Sequence, residues 1–317
     1  MPAGQRGRPI DAAYSSTDDI IQFMNAHKLR ISILSLANPW LDFLPAAEGP
    51  EWAQRINTEL DEICARSKGR LLAFGALPLS ASGQDICDSI RTLSKLRHLR
   101  GIIMGTSGLG QGLDDPDLDT VYGALQNTQT LVFLHPHYGL PSSVFGPRAS
   151  ESGHVLPLSL GFPLETTIAF TRMFLSGVFD RFPQLQILIA HAGATVPFLS
   201  GRIMSCVEHE RHYCDEAGIR NGGPQRSLPE VMASNVWLDA VVYSSTAVKA
   251  AAEVVGKKRV MFGSDHPFFP PLQPGAQVWK SVQTNVEAIQ AAFPGDEEAV
   301  TDVLGGNAAR LFNIPIE

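Results

Sequence analysis

The feature that most constrains this chain is a repeated alternation. Short, continuous apolar runs rich in β-branched residues recur along the whole sequence, separated by amphipathic stretches of helical period. Seven runs read as strands: Arg30–Leu36, Leu71–Leu77, Gly101–Gly105, Thr130–His135, Gln186–His191, Val236–Val241 and Arg259–Gly263. Runs such as Ile187-Leu-Ile-Ala190 are apolar at every position, as expected of parallel strands buried on both faces. Between them, Trp52, Ile56, Leu60, Ile63 and Cys64 fall on one helical face, with Pro50 suited to a first turn. Strand–helix alternation of this kind predicts a parallel α/β architecture. A length of 317 residues suits one such domain, and no repeat, linker or low-complexity tract divides it, so residues 1–317 read as a single unit.

The polar residues separate a barrel from a doubly wound sheet. Asn38, Thr106, His135, His191, Asp239 and Asp265 each sit at or just beyond the C-terminal end of a different run. A barrel brings all its strand ends to one mouth, where its active sites lie. A doubly wound sheet concentrates its site at one switch point and commonly shows a Gly-rich first turn, which is missing here. The expectation is a (β/α)8 barrel. Its first element is nevertheless a helix, Thr17–His27, capped by Ser16 or Thr17, and only seven strands follow. The first strand of the barrel is therefore expected to be missing from this sequence.

Composition closes off other classes. The net charge of −7 leaves no basic footprint for nucleic acid. No apolar run approaches the ~20 residues of a membrane helix, and the basic start lacks the apolar segment of a signal peptide. Four cysteines, Cys64, Cys87, Cys206 and Cys214, show no framework spacing, which fits a reducing, cytoplasmic setting.

Three strand ends carry chemistry. Asp265, in Met261-Phe-Gly-Ser-Asp-His-Pro-Phe-Phe-Pro270, can bind a metal and move a proton; alternatively it caps the next turn. His135 ends Leu131-Val-Phe-Leu-His135, where a neutral imidazole is a good zinc ligand; a hydrogen-bonded core histidine is the plain alternative. His191 is followed by Ala192-Gly193, which leaves room for a ligand to approach. His137 lies two residues past His135, but Pro136 makes a continued strand doubtful and a loop position the better reading. Asn38 offers a donor and an acceptor, or simply a turn before Pro39. Phe162 and Phe268 are core residues by default, or else the apolar wall for a planar ring. Arg8 could clamp a carboxylate, and Glu165 reads as a first-turn acid facing the helix dipole.

These stretches, together with Ser35-Leu-Ala-Asn-Pro-Trp40, Gly105-Thr-Ser-Gly-Leu-Gly110, His135-Pro-His-Tyr-Gly-Leu-Pro141 and Gly161-Phe-Pro163, resemble the amidohydrolase-related metal-dependent decarboxylases. That family includes the aminocarboxymuconate-semialdehyde and hydroxybenzoate decarboxylases, and the likeness is greatest to its fungal uracil-5-carboxylate (isoorotate) members. The resemblance implies zinc held by His135 and Asp265, with His191 as the active-site histidine beside it. It implies substrate contacts from Asn38, Phe162, Phe268 and Arg8, and a homodimer. It also implies two further ligands from a His-x-His pair on the first strand, the same strand that counting finds missing, so weak zinc binding is expected of this chain alone. The reading is a carboxy-lyase acting on a small planar ring acid. The alternatives are a metal-dependent amide or lactone hydrolase, and a metal-free, non-catalytic barrel.

Overall fold

The computed structural model describes residues 12–213, 223–273 and 275–315. All seven expected strands are present: β1 (Ser32–Ser35), β2 (Leu71–Ala76), β3 (Leu99–Gly105), β4 (Val132–His135), β5 (Ile187–Ile189), β6 (Val236–Asp239) and β7 (Val260–Met261). They pair in chain order, every neighbour parallel. Helices connect them, the first four of the layer being α1 (Thr17–Ala26), α2 (Gly49–Arg66), α3 (Gly83–Leu93) and α4 (Asp119–Asn127), with α5 (Phe162–Leu175) between β4 and β5. This is a curled sheet of the amidohydrolase-type barrel. Among the described residues there is no eighth strand, and β1 and β7 each have one strand neighbour.

Strand parity divides the core into two layers. Ile102, Met104, Val132, Leu134, Ile187, Ile189, Val236, Leu238 and Val260 face outward into the cluster beneath the helices. Their alternates Phe74, Ile103, Phe133, Leu188, Trp237 and Met261 form a second cluster inside the curl, with Trp40 and Phe312. The chain ends tie the two edge strands together. Asn307 donates to the Val260 carbonyl on β7 at 2.6 Å, and Arg30, just before β1, donates to the Pro315 carbonyl at 2.7 Å.

The helix cap at Ser16 forms as expected, its hydroxyl accepting from the Asp19 amide. The apolar face of α2 is a partial correction. Gly49, Ala53, Asn57 and Cys64 are its buried positions and Ile56, Leu60 and Ile63 pack half-buried against the core, whereas Trp52 is 38% exposed and carries the Arg55 guanidinium on its ring. Asn57 spends both ends of its amide on one residue of β2. It accepts from the Ala76 amide at 2.8 Å and donates to the Ala76 carbonyl at 2.9 Å, which is why a polar residue occupies a buried helix position.

Gly101 shows how closely the strands run. Its φ is +148°, and a Cβ there would stand 2.4 Å from the Leu131 carbonyl oxygen, which itself accepts from the Ile102 amide. Gly101→Ala is expected to cost about 3 kcal/mol, because a backbone atom cannot yield as a side chain can. Gly69→Ala, in open space at φ +81°, should cost only about 1 kcal/mol of left-handed strain. Denaturant unfolding of both variants checks this, and equal losses would contradict it.

Candidate active site and metal centre

Parity explains how His135 reaches the interior. It follows Phe133 by two residues on β4, so both side chains point into the curl. Across the register its partner on β3 is Gly105, where a Cβ would collide with the Trp40 ring at 2.4 Å. The missing side chain at Gly105 is what admits Trp40 beside His135, their rings 6.4 Å apart. His135 Nδ1 lies 2.9 Å from the Pro136 carbonyl, which can only accept, so the proton sits on Nδ1 and Nε2 keeps a free lone pair.

His191 arrives by a different route from the one expected. β5 ends at Ile189, and His191 lies in a left-handed turn, not on the strand. His191, Ala192, Gly193 and Ala194 have φ of 58°, 55°, 75° and 58° in succession. Three of the four carry a Cβ, and each pays roughly 1–2 kcal/mol for that backbone. Asp265 is likewise left-handed, at φ 55°, with the Phe268 amide donating to its carbonyl at 2.8 Å. The next residue, His266, meets the Phe23 ring of α1 at a tilt, with centroids 3.9 Å apart, and lies 4.6 Å from the Trp279 ring.

These two turns and one strand end place His135, His191 and Asp265 together, with one ligand atom of each within 4.8 Å of the others. Burial holds both imidazoles neutral, His135 pushed down to about 3 and His191 to about 4. For His135 the neighbouring His191 adds to the effect. Asp265 moves the other way, up to about 7, through burial and then the negative charge of Asp239. His191 Nδ1 is buried with no partner among the described residues. Two neutral imidazoles, one of them with an orphaned ring nitrogen, and one carboxyl fit a divalent cation of the zinc or manganese kind.

The remaining candidates are held by other contacts. His137 is almost fully buried and turned elsewhere, with Nδ1 at 2.9 Å from Ser107 Oγ and Nε2 at 3.3 Å from Asp42 Oδ2. That last contact is close in distance but lacks hydrogen-bond geometry, since Nε2 has no hydrogen-bond partner. Burial raises Asp42 to about 6. Asn38 donates to the His137 carbonyl at 2.5 Å. Phe162 begins α5 against Gly139, and Phe268 meets Tyr14 edge-on at 5.9 Å. Arg8 lies outside the described residues.

Glu165 does more than face a helix dipole. Its carboxylate accepts from the amides of His137 at 3.2 Å, Tyr138 at 3.3 Å and Gly139 at 2.7 Å, and from the Thr106 hydroxyl at 2.7 Å. It thereby fastens the loop that follows His135 to the end of β3. No pattern in the primary sequence points to that role, nor to Asp42 or Ser107.

The chain belongs to the amidohydrolase family, whose profile matches residues 41–314. It is 27% identical over 99% of its length to the 2-amino-3-carboxymuconate-6-semialdehyde decarboxylase of Dictyostelium discoideum, covering 81% of that protein. Among solved structures, it is similar to the IDCase of Metarhizium anisopliae in apo form, with 46% identity, a TM-score of 0.93, and coverage of 97% of this chain and 81% of that one. The 5-carboxyvanillate decarboxylase of Novosphingobium aromaticivorans, complexed with manganese, shares the fold at 22% identity and a TM-score of 0.77, with 93% and 79% covered.

Metal binding to this cluster is predicted to be proton-linked at one group. Below about pH 7 a cation must displace the Asp265 proton, whereas the imidazoles are already neutral. Affinity should rise about tenfold per pH unit from 5 to 7 and flatten above, with close to one proton released at pH 6. Calorimetry in buffers of different ionisation enthalpy measures this; two protons released at pH 6 would contradict it.

Proposed function

We propose that this chain is a non-oxidative carboxy-lyase acting on a small planar ring acid whose carboxylate adjoins a carbonyl or hydroxyl oxygen. Uracil-5-carboxylate is the foremost candidate. The observation that carries the reading is a protonatable carboxyl, Asp265, within 4.8 Å of two neutral imidazoles. The relatives support decarboxylation over hydrolysis. The likeness to the Metarhizium anisopliae IDCase and the sequence resemblance to isoorotate decarboxylases support the choice of ring.

Such a reaction needs a proton delivered to the ring carbon that bears the carboxylate. The carbon–carbon bond then breaks, its electron pair returns to the ring, and CO2 leaves. A positioned carboxyl is suited to that transfer, because it can hold a proton at one oxygen and release it without leaving its place. Asp265 is therefore assigned the proton, moved from a carboxyl oxygen. His191, neutral and with a free ring nitrogen, is assigned a hydrogen bond to the substrate. His135, oriented by the Pro136 carbonyl, and Asp265 would hold a divalent cation, zinc being our assignment. When bound, that cation would withdraw charge from the substrate's paired oxygens and fix their orientation. Phe268, Phe162 and Asn38 are assigned to the substrate's ring and edge, with Arg8 to its carboxylate. The aromatic side chains also exclude water, which has no role in this step.

The test follows CO2 and ring product from a panel of ring acids, with lactones and amides alongside. Asp265→Asn is expected to lower kcat by ~10²–10⁴ with far less effect on substrate binding. Phe268→Ala should weaken binding by roughly 0.5–1.5 kcal/mol plus the lost burial. Turnover of a lactone or amide without CO2 from any ring acid would transfer the case to a hydrolase.

A further inference from the structure

The turn that presents His191 is not one its own residues favour. Four successive left-handed residues include three with a Cβ, in a segment with only one glycine to absorb the cost. Something outside the turn must hold it. Asp239 is the group placed to do so.

Asp239 ends β6, two residues after the inward-facing Trp237, so its carboxylate enters the curl beneath the mouth. It is 7% exposed. Its Oδ1 accepts from the Ala192 amide at 3.1 Å and from the Val241 amide at 3.0 Å. On the far side of the turn, Thr195 donates its amide to Thr167 Oγ1 at 3.1 Å. The exit of β7 leaves no space around it either. A Cβ at Gly263 would stand 2.7 Å from Val241 and 3.5 Å from the Cβ of Asp239. Asp239 is not a member of the ligand cluster of His135, His191 and Asp265. Its Oδ1 is taken up by two backbone amides.

We propose that Asp239 is a positioning residue, a buried carboxylate that folds the left-handed turn His191–Ala194 and so aims the His191 ring at the reacting site. The proposal rests on His191 acting in that site. The clamp itself is read by measurements that do not need turnover. A clamp and a charge make opposite demands on the isosteric amide. Asn at this position keeps Oδ1, and with it both acceptor bonds, while removing the charge; Ala removes both.

The experiment compares Asp239→Asn, Asp239→Ala and Ala194→Gly, alone and with His191→Ala, by thermal melting, by titration with manganese or zinc, and by kcat and KM. Asp239→Asn keeps the clamp, so it should lose far less metal affinity and kcat than the alanine variant, any remaining change coming from the charge that Asp239 presents to Asp265. Asp239→Ala should lose about 10–100-fold in one or both, the range for removing a group that orients a ligand. In the His191→Ala background the same change should lose almost no further affinity or kcat, because the residue it aims is gone. Ala194→Gly should recover part of the Asp239→Ala loss and raise the melting temperature of the parent, since glycine takes this backbone without strain. If Asp239→Ala does not fold, the amide variant and Ala194→Gly decide the matter by themselves. Loss at Asp239→Asn as deep as at Asp239→Ala, equal losses with and without His191, or an Ala194→Gly variant that melts lower than the parent would overturn the proposal. Absence of decarboxylation in the parent, with metal affinity and melting following the expected pattern, would remove the assigned reaction and leave the clamp standing.

Discussion

The site depends on one geometric constraint, the alternation of side chains along seven parallel strands. Each strand commits every second residue to the layer under the helices and the next to the interior of the curl. On β4 this alternation carries Phe133 and then His135 inward; on β6 it carries Trp237 and then Asp239. A one-residue slip would send His135 out among the helices and replace it with an aliphatic residue. The apolar rings at the lower level and the polar groups at the mouth therefore belong to one construction. Gly105 shows the same logic in reverse, an inward position left without a side chain so that Trp40 can fill it.

On this frame the mouth gathers two carboxyls and two imidazoles into a space poor in water. Burial strips charge from three of them: the histidines become neutral bases and Asp265 holds its proton to about pH 7. A cluster of this kind is poorly satisfied in isolation, as the orphaned Nδ1 of His191 shows. A cation or a chelating substrate supplies what it lacks, which is the physical sense in which the family's divalent-metal decarboxylation chemistry suits this fold. Acidic groups nearby serve backbone in place of metal. Glu165 gathers the amides after His135, and Asp239 those after His191. Both site histidines are thus followed by loops whose amides end on a carboxylate.

Continuous apolar runs mark all seven strands, and the polar residues at their ends mark the mouth. Lengths were overestimated at β5, where Ala190 and His191 leave the strand for a left-handed turn. Periodicity cannot see that departure, because the turn is imposed from β6 by Asp239 and not by its own residues. On α2 the apolar stripe was read through Trp52, which lies exposed on the surface, and missed Asn57, whose amide is matched to the Ala76 backbone. Hydrophobicity alone ranks an asparagine as solvent-facing, and only the facing strand shows that both ends of its amide are satisfied.

By itself the sequence determined the order and direction of the strands, the face each presents and the chemical kinds of group brought to the mouth, because these follow from local periodicity and from the short reach of parallel connections. It also sufficed to mark His135, His191 and Asp265 as one set, since groups at or just past the strand ends of a barrel face one mouth. The tertiary structure alone decided which of them meet within ligand distance, that His137 turns instead to Ser107 and Asp42, and that Glu165 and Asp239 bind backbone. Those outcomes rest on left-handed residues and buried charges, whose cost is offset by partners dozens of positions away in the chain, and no local pattern records such a partner.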